Sequence, residues 1–152
     1  MQRTAPAGYD ADFALWAEEQ AAALREGRFT ELDVPHLLEE IDDLSNRKRD
    51  AIRSRIKQIA AHLLKIQFFQ PDRATDSWET SVRVQAGKIE DILEGSPSLR
   101  REMPEFIATG YRRGRKLASI ETKLPLATFP EAPTPEFERA LQAALAGDDF
   151  EF

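Results

Sequence analysis

The 152-residue sequence contains no cysteine, which excludes a disulfide framework, thiolate metal sites and a cysteine nucleophile. Histidine occurs only twice, at His36 and His62, so a three-histidine metal site is excluded as well. Neither histidine belongs to a Glu-x-x-His or His-Glu-x-x-His pattern. No apolar run approaches the about eighteen residues that cross a bilayer, and the segment Met1–Gly8 has no apolar stretch of signal-peptide length. Neither export nor membrane spanning is expected, and the expected location is the cytoplasm. There is no strand-like alternation, no Gly-rich phosphate loop and no internal repeat.

What remains is 41% hydrophobic and 32% charged, the balance of a globular chain with a core and a well-solvated surface. The mean hydropathy of −0.50 therefore reflects amphipathic patterning. Spacings of three and four residues run almost throughout and predict an all-α helical bundle of about five or six helices. One domain over 1–152 is expected, with 1–9 and 147–152 as flexible ends.

Asp10 is the expected cap of a first helix carrying Phe13, Trp16 or Ala17, Gln20, Ala23 and Leu24, closed by Gly27. Phe29 and Leu32 are expected to tuck inward in the following turn. Asp33 is the next cap, with Pro35 tolerated in the first turn and Leu37, Leu38, Ile41 and Leu44 as the apolar stripe. A second run, Ile52, Ile56, Ile59, Leu63 and Ile66, predicts a long helix over 47–69 ending before Pro71. Because Lys48 interrupts the seam and Ser45-Asn46 offers a cap, a break or bend is expected near 45–47, with one unbroken helix as the alternative.

Residues 70–76 read as a polar connection, with Asp76 and Glu79 as a capping pair for a helix through Trp78, Val82, Ala86, Ile89 and Leu93. Gly95-Ser96-Pro97 predicts a stop and restart. The next helix carries Leu99, Met103, Phe106, Ile107, Tyr111, Leu117 and Ala118, with Pro104 expected to bend or split it near its start. A proline-rich extended segment over 123–134, pinned by Leu126 and Phe129, precedes a short final helix capped by Thr134 and carrying Phe137, Leu141 and Leu145.

Several motifs carry a family resemblance. They are Tyr9-Asp10-Ala11-Asp12-Phe13 with Trp16 and Gln20, Leu32-Asp33, Leu38-Glu39-Glu40-Ile41, Ser54-Arg55, His62-Leu63-Leu64-Lys65 and Gln70-Pro71. Ser77-Trp78, Ser96-Pro97-Ser98-Leu99, Glu121-Thr122 and Phe129-Pro130 complete the ordered set. In that order they resemble a bacterial family catalogued as a domain of unknown function, number twenty-nine in its series. The resemblance implies an all-helical fold and no assigned activity. The chain departs from the pattern at Pro104, where a helix usually continues, and at His36, where asparagine is more typical; the second departure argues against His36 as an essential ligand.

The chemistry-bearing residues are few. His62 with Glu40 or Glu121 is the candidate metal or catalytic set, as in a small metal-dependent hydrolase or nuclease. The plainer role for His62, beside the core stripe and near Gln58 and Lys65, is a hydrogen-bonded half-buried histidine. Glu121 lies at a helix C-terminus, where a carboxylate opposes the helix dipole and calls for a partner; Arg55 and Lys65 are candidates. No nucleophile with an attendant base is legible, and no cofactor is expected.

Charge is segregated. Residues 1–46 hold three Lys or Arg and eleven Asp or Glu, for −8; residues 47–120 hold sixteen and nine, for +7; residues 121–152 hold two and seven, for −5. Arg47, Lys48, Arg49, Arg53, Arg55 and Lys57 cluster on one helix, and Arg112, Arg113, Arg115 and Lys116 on another. The second group is the candidate interaction surface for nucleic acid or an acidic protein. The net charge of −6 disfavours nonspecific phosphate affinity, and acidic helices packed beside basic ones account for the pattern more simply. The expected function is a noncatalytic interaction or regulatory module, with a protein partner or homo-oligomer formed on any exposed apolar stripe, such as one on the final helix.

Overall fold

A computed structural model describes residues 8–69 and 75–152. Its described residues form five α-helices joined by short 3-10 turns: α1 (Phe13–Arg25), α2 (Val34–Phe68), α3 (Thr75–Gly95), α4 (Met103–Thr122) and α5 (Pro135–Ala146). The chain is all-α, and none of these helices is long and apolar enough to cross a membrane. The Gln70-Pro71 motif, most of the expected polar connection and residues 1–7 of the expected flexible N-terminus lie outside the described residues. Contacts divide the chain into two compact units, Met1–Asn46 and Arg47–Phe152.

In the first unit the cap of α1 is Asp12, not Asp10. The amides of Ala11 and Asp12 donate to the Gly8 carbonyl, which folds Asp10 into a preceding turn and leaves the Asp12 carboxylate to accept from the Leu15 amide at 3.0 Å. Gly27, at φ 70°, supplies the left-handed residue that ends the helix. Trp16, Gln20 and Ala23 face inward, whereas Phe13, Leu24 and Phe29 are exposed. Phe29 lies in a short 3-10 turn, Phe29–Glu31, which turns it outward against expectation while Leu32 is half-buried.

The structure takes the unbroken alternative for α2, which is helical through 45–47. The seam at Lys48 marks a change of environment instead of a break. Downstream, Ile52, Ile56, Ile59, Leu63 and Ile66 are buried. Upstream, Val34, Leu38, Ile41 and Leu44 are exposed, so Lys48 never has to enter a core. The expected break is absent, and the boundary between the two contact units falls inside this continuous helix, after Asn46.

The second unit is a helical bundle whose core joins the buried α2 residues to Val82, Ala86, Ile89, Leu93, Phe106, Tyr111, Phe137 and Leu141. Asp76 lies inside the first turn of α3, which is already helical at Thr75, instead of capping it. Residues Pro97–Glu102 form a 3-10 segment, and α4 then starts at Met103 with Pro104 in its first turn. Proline splits the predicted helix where its missing N–H costs no ladder bond. Ser96 precedes this segment without a side-chain cap bond.

Between α4 and α5 the chain is pinned from both sides. Phe129 is buried, Tyr111 Oη donates to the Pro130 carbonyl at 2.7 Å, and Arg115 Nε donates to the Phe129 carbonyl at 2.9 Å. The Thr134 hydroxyl accepts from the Phe137 amide and Pro135 opens α5, as expected. The final helix buries Phe137, Ala140, Leu141 and Ala144, so its apolar stripe belongs to the core and is not the exposed one. Past Gly147 the chain is also held, because Phe150 is buried and the Arg83 guanidinium lies 5.2 Å from its ring centroid.

The tightest approach in this unit is that of α2 and α4. A Cβ placed on Gly114 would lie 2.6 Å from the Ala60 methyl and 2.6 Å from the Lys57 carbonyl oxygen, and one on Gly110 would strike the Ile56 side chain. Glycine is needed at both because backbone meets backbone. Gly114→Ala is expected to cost about 1–3 kcal/mol through overpacking. Gly87→Ala, on an open face of α3 with nothing within 4 Å, is expected to add about 0.5–1 kcal/mol. Urea denaturation of the two variants checks the opposite signs.

Candidate functional site

The first unit contains a hydrogen-bonded aromatic cluster. Asp33, at the start of α2, accepts through Oδ2 from Trp16 Nε1 at 3.0 Å and from His36 Nδ1 at 2.7 Å. The Asp33 amide donates to Gln20 Oε1 at 2.7 Å. The Tyr9 ring stacks on His36 with centroids 4.1 Å apart and meets Trp16 edge-on at 4.9 Å. Its hydroxyl donates to Glu40 Oε1 at 2.5 Å. Tyr9, which makes both of these ring contacts and the Glu40 bond, falls in the segment expected to be flexible.

These contacts dock α1 on the polar side of α2, through residues 33, 36 and 40. The apolar side is left bare: Val34 is 60% exposed, Leu38 58%, Ile41 62% and Leu44 59%. At 3.6 residues per turn the four form one ridge about 16 Å long. Asp42 lies beside it, with Glu39 one step farther round the helix, both exposed and in no hydrogen bond or ion pair among the described residues, whereas Asp43 falls on the side of His36 and Glu40.

In the second unit the end of α2 carries a buried cation. Lys65 is 5% exposed; its Nζ is 2.5 Å from Glu121 Oε2 and 4.6 Å from the Trp78 ring centroid. The carboxylate at the end of α4 thus finds its partner in Lys65, while Arg55 donates to Gln85 Oε1 at 2.8 Å. His62 is half-buried on the same turn, its ring 6.4 Å from that of Trp78 and inclined to it by 28°, and its Nδ1 is buried with no hydrogen-bond partner among the described residues. Of the candidate set, His62 and Glu121 lie in this unit and Glu40 lies in the other, bonded to Tyr9. Among the described residues no group of three or more His, Cys, Asp or Glu side chains is placed to hold a metal ion.

Of the motif residues, Tyr9, Trp16, Gln20, Asp33 and Glu40 meet in the first cluster, and His62, Lys65, Trp78 and Glu121 in the second. The chain matches the family described as "Domain of unknown function DUF29" over residues 9–145. It belongs to that family. The DUF29 match takes in both clusters, from Tyr9 through Glu121 and on into α5. No curated protein and no solved structure matches the chain.

Several basic residues of this DUF29 chain are committed within the second unit. Arg49 pairs with Glu102 at 2.9 Å, and Arg53 with Glu105 at 2.9 Å and Asp50 at 2.8 Å. Arg115 is turned to the Phe129 carbonyl, which leaves Arg112, Arg113 and Lys116 exposed on the outer side of α4.

The cluster that sequence reasoning missed is the one around Asp33, which was read only as a cap. Its signal was present as Trp16 and Gln20, two polar-tipped residues on an inward stripe. Both need a hydrogen-bond partner when buried.

The two histidines are pushed in opposite directions. The hydrogen bond to Asp33 raises His36, and the Asp33 carboxyl is held below its usual range chiefly by the same bond. Burial, assisted by Lys65, lowers His62. Glu40 and its acidic neighbours push the Tyr9 hydroxyl up to about 12. By linkage, the His36 contribution to stability is full below the ordinary histidine value and fades as pH rises through its folded value. The His62 contribution is present above the ordinary value and fades as pH falls below it. Histidine ring titrations followed by NMR are expected to give one midpoint above about 6.5, abolished by His36→Gln, and one below it, abolished by His62→Gln. Coincident midpoints contradict this assignment.

Proposed function

We propose that this chain is a noncatalytic protein-interaction module acting in the cytoplasm, and that its contact surface is the first half of α2. The observation that carries the reading is the Val34–Leu38–Ile41–Leu44 ridge, four large apolar side chains all more than half exposed. Isolated exposed apolar residues are ordinary; a contiguous ridge beside exposed charges is the composition of an interface core with a polar rim. The Tyr9–Asp33–His36–Glu40 contacts support the same reading, because they fix α1 to a different side of the helix and leave the ridge uncovered by it.

Native mass spectrometry of the chain purified without a metal column tests this. The expected result is a protein-bearing complex, with a second copy or another chain, that dissociates in Leu38→Ser/Ile41→Ser. That double variant is expected to keep its unfolding free energy within about 0.5 kcal/mol per site, because both positions are exposed. A monomer carrying stoichiometric metal that is lost in His62→Ala would overturn the reading in favour of chemistry at His62 and Glu121. Nucleic acid that co-purifies and is released by Arg112→Glu/Arg113→Glu/Lys116→Glu would overturn it in favour of phosphate contacts.

A further inference from the structure

We infer that the occupant of the α2 ridge is an amphipathic helix with cationic flanks on a different protein. The inference rests on reading the ridge as an interface, and three observations narrow what fits it. The ridge belongs to an α-helix whose backbone groups are satisfied internally, so it offers no sheet edge for strand addition. An occupant must meet it side chain to side chain. Spacings of four, three and three residues from Val34 to Leu44 present a ridge of about three turns, which matches the groove between rows on a second helix of similar length.

The second observation is charge. Residues 1–46 carry three basic and eleven acidic side chains, a net −8, and Asp42 stands beside the ridge, with Glu39 one step farther round, neither in an ion pair among the described residues. Carboxylates at the rim of an apolar contact favour Lys or Arg on the occupant and speed its encounter.

The third observation disfavours a second copy. Two of these ridges placed face to face would bring the carboxylates of one chain against those of the other, and like charges across an interface are repulsive. The basic outer side of α4, with Arg112, Arg113 and Lys116, has only Ile120 as a large exposed apolar side chain. It answers the charge of the ridge without covering its apolar length.

The test uses the full chain and two fluorescent peptides of about 18 residues, each helical with leucine along one face. One has lysine flanks and the other glutamate flanks. The lysine peptide is expected to bind one to one and at least about tenfold more tightly than its counterpart. Raising NaCl from about 50 to about 500 mM should weaken it, and Leu38→Ser/Ile41→Ser should abolish it. Glu39→Lys/Asp42→Lys should reverse the preference toward the glutamate peptide, whereas Asp43→Lys, on the side of His36 and Glu40, should not, which separates recognition at the ridge from general attraction to an acidic protein.

Equal binding of the two peptides, or lysine-peptide binding untouched by the ridge variants, overturns the inference. Self-association that is lost in Leu38→Ser/Ile41→Ser, without peptide binding, overturns the cationic occupant and leaves the interaction module standing. Neither association nor peptide binding overturns both.

Discussion

The Arg47–Phe152 unit depends on how closely α2 and α4 approach at Gly110 and Gly114. Adding a single carbon at Gly114 would bring it within 2.6 Å of the Lys57 carbonyl oxygen, so the two backbones are spaced by their own atoms and not by side chains. That spacing sets the rest of the unit. It buries Ile56 and Ala60 beneath α4 and brings the end of α4 beside the end of α2, where Glu121 meets Lys65. It also holds Tyr111 and Arg115 where they tie down the segment after α4. A small-residue pair four apart permits this approach, and a larger residue at either position would displace the helix that carries these contacts.

Past Thr122 the backbone turns through Lys123, whose φ of 58° makes it the only non-glycine residue in the left-handed region among those described. A lysine there costs about 1 kcal/mol or more. Neighbouring hydroxyls offset it: Ser119 Oγ donates to the Leu124 carbonyl at 2.7 Å, and Thr122 Oγ1 accepts from the Leu124 amide at 3.3 Å. The turn therefore delivers Phe129 to the core, and the final helix follows from there.

Much of this was legible in the residues. The inward stripes of α3 and α5, the proline split before α4 and the Thr134-Pro135 start followed from local rules of spacing and capping, which do not depend on distant contacts. The pairing of Glu121 with Lys65 was open to argument because a carboxylate at a helix C-terminus is unfavourable alone. What failed was any inference that equated an apolar spacing with burial. Leu38, Ile41 and Leu44 continue the face of Ile52 and Ile56, yet periodicity reports which side is apolar and not what covers it. The same gap hid the glycine contact, since Gly110 and Gly114 mark a close approach only once the facing helix is known. Asp10 and Asp12 were equivalent as caps until the turn at Gly8 chose between them.

A single helix face of α2 is therefore bare over 34–44 and buried from 52 onward. Because the chain has no cysteine of its own, single substitutions report on it directly through thiol labelling. Leu38→Cys and Leu44→Cys are expected to react with a maleimide at about the rate of the same variants unfolded in urea, and Ile56→Cys and Ile59→Cys to react orders of magnitude more slowly. Protection of positions 38 and 44 equal to that of 56 and 59 in the isolated chain would contradict the exposed ridge and the function drawn from it.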